Sequence, residues 1–330
     1  MARRFHHVAN GTSVTGTFEA AGIPGTSSIW SDVLYEGPVP GGLSDAQLAD
    51  VRARFLGEPQ DQPWNDLRHW RSMIERSDGY DELILWFEHD LFDQLNLIQL
   101  LDWIPDRVRH DTIVSLVCIG SFPGRPSFKG LGELTPAELG PLLDTRDRVT
   151  ESQYALATRA WRAFREPTPE AIDDLRRRDT SALPYLAPAL TRFLQEYPWT
   201  SDGLSRTERR LLELAQGAGI GGGAIRLAAA FPRMGEGENA YTITDGSVIS
   251  TAEALCGTSP ALMTPSGDAA RGFDLRRTSV AISDAGRAVL TRTRDRVEMC
   301  GIDRWLGGVH LTGRSGVWRW DDTRGSITRE

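Results

Sequence analysis

Apolar runs of strand length alternate with helical patterns over the first 120 residues of the chain. The apolar runs are FHHVAN at 5–10, SSIWSDVL with its strand ending near Asp32, ELILWF at 82–87 and TIVSLVCI at 112–119. The segments with helical patterns are 14–21, 45–57, 64–76 and 93–104. Strands that alternate with helices are typical of βαβ units. The pattern predicts an α/β fold with a Rossmann-like, mainly parallel sheet flanked by helices.

The pattern changes in the second half of the chain. Residues 135–198 look helical throughout, whereas 199–330 combine short helices, a strand, a further helix and two strands around a Gly-rich turn. This last order resembles a winged-helix module, and VAISDAGRAVL is similar to the segment after the wing in many bacterial regulators. We therefore predict a Rossmann-like domain at 1–134, a helical segment at 135–198 that packs on or links the domains, and a smaller winged-helix-like α+β domain at 199–330 with a C-terminal hairpin.

Charge is distributed unevenly along the chain. Residues 1–198 hold 20 basic and 29 acidic groups, a net charge of −9, and residues 199–330 hold 17 and 16, a net charge of +1. Because nucleic acids attract basic surfaces, the front part is a poor candidate for a nucleic-acid footprint. The second part leaves DNA binding open.

Targeting signals and a disulfide framework are not expected. No apolar run approaches the roughly 20 residues that span a bilayer, and the start MARRFHHVANG lacks the apolar stretch of a secretory signal. The three cysteines, Cys118, Cys256 and Cys300, are widely spaced, which fits neither disulfides nor a zinc site. We expect a cytoplasmic protein with reduced thiols and no membrane partner.

Polar side chains gather where each of the four predicted strands ends. The carboxyl ends of parallel strands meet along one edge of a sheet, where ligands bind. The candidate catalytic residues there are Glu88, His89 and Asp90. The candidate ligand-binding residues are Asn10, Gly11, Thr12, Ser13, Asp32, Asp93, Gly120 and Ser121. We expect them to share one crevice.

The segment Asn10–Ser13 suits an anion. A glycine between a strand and a helix lets backbone N–H groups turn toward a phosphate or carboxylate, and two hydroxyls stand beside it. The alternative is that Ser13 simply caps the following helix. The segment lacks the lysine and spacing of a P-loop and is not a GxGxxG motif.

The segment EHDLFD at 88–93 brings three acids together. Acids this close repel one another unless a cation or a basic partner compensates, and Mg²⁺ beside a phosphate is one such cation. Glu88 and His89 are also suited to proton transfer. The alternative is structural, with Asp90 or Asp93 capping the next helix and Glu88 paired with an arginine. Mg²⁺ is thus a candidate cofactor, and the metal ligands are left open.

Several blocks of the chain resemble the bacterial family called domain of unknown function 1835. They are HHVANGTS, WSDVLYEGPVP, RARFLG and LWFEHDLFDQLNLIQLL, in that order, within residues 5–125. The tail GIDRWLGGVHL…WRWD looks like the end of longer members. Thr12 stands where an acid is common in the family, which weakens a metal role for that loop. The family carries no settled activity, so the resemblance supports a site and names no reaction.

Three functions fit these observations. The favoured one is binding of a small anionic ligand, bearing a phosphate or nucleotide, at the carboxyl edge of the sheet, with metal-assisted hydrolysis or transfer at phosphate as the reaction class. The alternative is a winged-helix DNA-binding regulator with an N-terminal sensing domain. The third is a non-catalytic interaction protein. Whether the protein is an enzyme is left open.

Overall fold

The chain folds into two compact units. The computed structural model describes residues 3–57, 62–218, 223–266 and 272–329. The first unit consists of Met1–Leu190 and Gly307–Val309, and the second of Thr191–Leu306 and His310–Glu330. Most of the helical segment at 135–198 therefore belongs to the first unit.

The first unit is built around a five-stranded sheet. The strands of this unit are β1 (Phe5–Ala9), β2 (Thr26–Ile29), β3 (Gly37–Pro38), β4 (Glu82–Glu88), β5 (Ile113–Ile119) and β6 (Asp147–Arg148), and all of them except β3 belong to this sheet. Its helices are α1 (Thr12–Thr15), α2 (Asp45–Leu56), α3 (Gln62–Glu75), α4 (Leu91–Trp103), α5 (Pro136–Leu139), α6 (Glu151–Phe164), α7 (Glu170–Leu175) and α8 (Leu186–Leu194), which continues into the second unit. The sheet order is β2-β1-β4-β5-β6. The first four strands are parallel and β6 is antiparallel, which confirms the predicted α/β fold with a mainly parallel sheet.

The central strands are buried, as their apolar sequences indicate. Every residue of β4 is buried, because both of its faces are covered. On one face, Ala9, Ile84, Trp86 and Val117 form a core that includes Leu131 from beyond β5. This core fixes the strands from which the polar residues project.

Two elements near the start of the chain differ from the prediction. The helix expected at 14–21 is the single turn α1, because it ends at Gly16 and the following residues form turns; glycine has a low helix propensity. Ser13 does not cap it, because the N-cap position is occupied by Gly11. The second strand ends at Ile29, three residues before Asp32.

The second unit is a mixture of short helices and antiparallel strands. Its helices are α9 (Arg206–Ala218), α10 (Leu227–Met234), α11 (Asp245–Gly257), α12 (Asp284–Leu290) and α13 (Arg296–Cys300). Its strands are β7 (Ile225–Arg226), β8 (Met263–Ser266), β9 (Ser279–Ile282), β10 (Ile302–Gly307), β11 (Val309–Gly313), β12 (Trp318–Asp321) and β13 (Ser326–Arg329). One antiparallel sheet has the order β7-β9-β8. The unit is therefore an α+β assembly.

The C-terminal hairpin differs from the predicted pairing. We expected the strands on either side of the Gly-rich turn, β11 and β12, to pair, but β12 pairs with β13. Asp321 causes the reversal, because its Oδ1 accepts hydrogen bonds from the N–H groups of Thr323 and Arg324. Trp320 in this hairpin is buried.

No helix within the described residues is long and apolar enough to span a bilayer.

Candidate functional site

The carboxyl ends of β1 and β4 lie side by side in the first unit. The chain passes from β1 to β2 on one side of β1 and later returns to β4 on the other side. The strand order reverses between these two strands, and in open parallel sheets ligands bind at such a switch point. The segments that follow β1 and β4 hold most of the residues predicted for the site.

A short hydrogen bond joins these two segments. Asn10 Nδ2, just after β1, donates to Asp93 Oδ2 over 2.6 Å. The other carboxylate oxygen of Asp93 accepts the backbone N–H of Glu88 at 3.0 Å. Asp93 is only 1% exposed. It therefore ties the end of β1 to the end of β4.

Asp90 is the N-cap of α4. Its Oδ1 accepts the backbone N–H of Asp93 at 2.9 Å, which satisfies one of the free N–H groups at the start of the helix. The side chain is buried. The capping role that the sequence left open is thus present, and Asp90 orients the first turn of α4.

Glu88 points into a glycine-rich segment beyond β5. Its Oε1 accepts the backbone N–H of Leu131 at 2.5 Å. A Cβ atom on Gly130 would overlap the Glu88 carboxyl group, so this close approach requires glycine. The partner of the Glu88 carboxyl group is thus a backbone N–H. The sequence alternative, in which Glu88 pairs with an arginine, is not what the described residues show. The segment Gly130–Gly132 therefore covers the end of β4.

Burial raises the pKa of two of these acids. The pKa of Glu88 rises to about 8, mainly because the carboxyl group is buried and then because Asp90 is negatively charged, while the Leu131 N–H opposes the shift. Burial also raises the pKa of Asp93 well above its ordinary value, with further contributions from Glu88 and Asp90. Glu88 consequently retains its proton at neutral pH.

His89 and Gly120 meet where β4 and β5 end. A Cβ atom on Gly120 would lie 2.6 Å from the Tyr185 ring and 3.0 Å from His89 Cβ. The His89 ring stacks on Phe128, with centroids 6.3 Å apart, and meets Tyr185 edge-on. Its Nδ1 is buried and has no hydrogen-bond partner among the described residues. A buried ring nitrogen without a partner is destabilising, which makes this atom a candidate for contact with a ligand.

Thr12 and Ser13 present hydroxyl groups at the end of β1. Both residues are exposed, and within the described residues neither hydroxyl hydrogen-bonds to protein. A Cβ atom on Gly132 would lie 2.8 Å from Ser13 Oγ, so the Gly130–Gly132 segment reaches Ser13 as well as Glu88. The segment thus spans the ends of β1 and β4.

Asp32 has a separate role. Its two carboxylate oxygens accept hydrogen bonds from Arg52 Nη2 at 2.6 Å and Nε at 2.9 Å. Arg52 is 2% exposed, so the ion pair is buried. The backbone N–H of Asp32 donates to Asn96 on α4. Asp32 therefore holds the segment after β2 in place, and its charge is already matched.

The three acids of residues 88–93 each have a backbone partner. Glu88, Asp90 and Asp93 each bond a different backbone N–H, and no group of three or more His, Cys, Asp or Glu side chains is placed to hold a metal ion in the described parts of the chain. Each of the three carboxyl groups is therefore already engaged by the backbone. Ser121, the remaining predicted residue, is exposed after β5.

Sequence reasoning missed the groups that come from far along the chain. Leu131 binds Glu88 across 43 positions, and Tyr185 contacts both His89 and Gly120. A nearer residue, Gln94, also contributes, since its Nε2 donates to the Glu88 carbonyl oxygen at 2.6 Å. The paired glycines of FKGLGE were the one signal available for the Gly130–Gly132 segment.

Neither the known protein-family models nor the curated proteins include a match to this chain.

Proposed function

We propose that the first unit binds a small anionic ligand, bearing a phosphate group or a nucleotide, in the crevice where β1 and β4 end. The observation that carries the proposal is the 2.6 Å hydrogen bond from Asn10 to Asp93, because it joins the two segments on either side of the switch point. Thr12 and Ser13 offer exposed hydroxyls at this edge, and hydroxyl donors suit phosphate oxygens. The proposal needs no cation among the acids.

The groups beside this crevice support acid–base chemistry at the ligand. Glu88 holds a proton up to about pH 8, and His89 Nδ1 has no hydrogen-bond partner among the described residues. The reaction class that fits them is hydrolysis or transfer at phosphate. Glu88 would give a proton to the leaving oxygen, and His89 would take one from the attacking water or hydroxyl. Asp90 and Asp93 are positioning residues in this scheme.

Thermal unfolding in the presence of phosphate, ADP and ATP, with and without Mg²⁺, tests the binding proposal. A ligand that binds the folded chain raises the unfolding midpoint by mass action. We expect a nucleotide to raise it, and Ser13→Ala to reduce the rise. Ser152→Ala, which removes an exposed hydroxyl at the start of α6, serves as the matched control. No rise with any of these ligands would contradict the proposal.

A second function is favoured by the arrangement of the second unit. The order α9-β7-α10-α11-β8-β9, with the strands arranged β7-β9-β8, resembles that of a winged-helix module and supports this function. We propose duplex DNA as the partner of this unit. Fluorescence anisotropy with labelled duplex DNA at several salt concentrations tests it, because phosphate contacts make binding weaken as salt increases.

A further inference from the structure

The helix in the recognition position of the second unit is acidic. α11, which lies where a winged helix places its DNA-reading helix, contains Asp245 and Glu253 and no arginine, lysine, asparagine or glutamine. Glu253 is exposed. Base edges in the major groove are read chiefly by those four residue types, and acids are repelled by the phosphates. α11 is therefore a poor DNA-binding surface.

The small sheet β7-β9-β8 of the same unit has a solvent-exposed face that carries an arginine and two serines. Ile225 on β7 pairs with Val280 on β9, and both are buried. The next residues along, Arg226, Ser279 and Ser266, lie in one row across the three strands. Because side chains alternate between the faces of a strand, this row points away from the core.

Two further arginines flank this row. Arg276 and Arg277 are exposed in the turn that leads into β9. Asp274 holds the turn, since its Oδ1 accepts the backbone N–H groups of both arginines at 2.9 Å. Arg277 also lies 3.5 Å from that carboxylate. The guanidinium groups of Arg226 and Arg276 make no hydrogen bond or ion pair to any described residue.

We infer that the second unit contacts duplex DNA through this sheet face, defined by Arg226, Ser266 and Ser279, together with the adjoining turn that carries Arg276 and Arg277, and not through α11. The inference rests on the second proposed function. Three guanidinium groups beside serine hydroxyls match the groups that bind phosphate oxygens in protein–DNA complexes. The face carries no aromatic side chain among its described residues. Single strands are held by base stacking on such side chains, so the duplex is the expected form.

The test is anisotropy of a labelled 20-base-pair duplex with the full chain between about 50 and 200 mM salt. The triple variant Arg226→Ser/Arg276→Ser/Arg277→Ser should bind more weakly at low salt. It should also lower the slope of log K against log salt by up to about 2.7, because each phosphate contact contributes about 0.9. The matched control Arg287→Ser/Arg294→Ser/Arg324→Ser removes the same charge from exposed positions elsewhere in the unit and should leave the slope nearly unchanged. Circular dichroism confirms that both variants fold.

The results separate this inference from the function on which it rests. Ser250→Glu, at an exposed position of α11, should leave binding unchanged. If Ser250→Glu abolishes binding while the sheet variant binds like the wild type, the sheet face is not the contact, although DNA binding stands. Stronger binding to single-stranded than to duplex DNA overturns the choice of duplex. No salt-dependent binding to either form removes the second proposed function as well.

Discussion

Asn10 Nδ2 and Asp93 Oδ2 lie 2.6 Å apart, although the two residues are 83 positions apart in the chain. Asp93 receives a second hydrogen bond from the Glu88 N–H. One buried carboxyl group thus fixes the end of β1 against the end of β4. The geometry of the proposed crevice depends on this contact.

Asn10→Ala should therefore destabilise the first unit. The substitution leaves one oxygen of the buried Asp93 without a protein partner, and a lost buried hydrogen bond of this kind costs about 1–3 kcal/mol. Urea unfolding of the variant and the wild type measures the difference. Thr12→Ala, which removes an exposed hydroxyl two residues away, is the control. An unchanged unfolding free energy for Asn10→Ala would show that the two segments are not joined by this bond.

Glu88 should make the protein less stable as the pH rises. Its pKa is about 8 in the folded chain, against an ordinary value of 4.5. Between these values the folded state binds more protons than the unfolded state, so the unfolding free energy falls with increasing pH, by up to about 1.4 kcal/mol per unit for one proton. Asp93, whose pKa is also raised, contributes in the same direction.

Unfolding free energies from pH 5 to 8.5 measure this effect. Glu88→Gln should flatten the decline, leaving the part that belongs to Asp93. Glu151→Gln, at an exposed carboxyl group, should retain the full decline. A wild-type stability that rises over this interval would contradict the raised pKa values.

His89→Phe should not lower stability. The His89 ring already packs against Phe128 and Tyr185, and its buried Nδ1 has no partner in the part of the chain that the structure describes. A phenyl ring keeps the packing and removes the unpaired nitrogen. His7→Phe is the contrasting variant, because both ring nitrogens of His7 are hydrogen-bonded, to the Pro24 carbonyl and to Trp86 Nε1. It should lose about 1–3 kcal/mol.

The same His89→Phe protein should fail to release phosphate from any nucleotide that the wild type hydrolyses. Thermal unfolding and a phosphate-release assay on one preparation give both results. A variant that is destabilised yet fully active would assign His89 to structure alone.

Asp32→Ala should strongly lower the free energy of unfolding, although the sequence placed Asp32 in a ligand site. Removing one partner of a buried ion pair leaves the buried Arg52 guanidinium unmatched, which typically costs about 3–5 kcal/mol. Asp81→Ala breaks the exposed pair with Arg4 and should have little effect. Urea unfolding compares the two. Equal stability of the two variants would show that the Asp32–Arg52 pair is not buried in solution.

The strands of the first unit could be predicted because the apolar residues of each strand indicate that it is buried. After Glu82, ELILWF is apolar on successive positions, and a short run of this kind is typical of a strand that is covered on both faces. The alternation with helices then indicated parallel pairing. Because the carboxyl ends of parallel strands lie at one edge of the sheet, the pairing also predicted that Asn10 and Asp93 would lie at the same edge.

The partners of the site residues could not be predicted in the same way. Whether Glu88 binds a cation, an arginine or a backbone N–H depends on where residues 130–132 lie, and a contact between residues 43 positions apart leaves no periodic signal. The short α1 shows a related limit. Many helices tolerate a single glycine. Here, however, α1 ends at Gly16 after one turn.

Crystals of the protein soaked with ATP and Mg²⁺ test most directly whether the crevice holds a phosphate-bearing ligand. We expect phosphate density within hydrogen-bond distance of Ser13 Oγ and beside the Gly130–Gly132 segment. Ordered nucleotide bound elsewhere, with the ends of β1 and β4 unchanged, would contradict it.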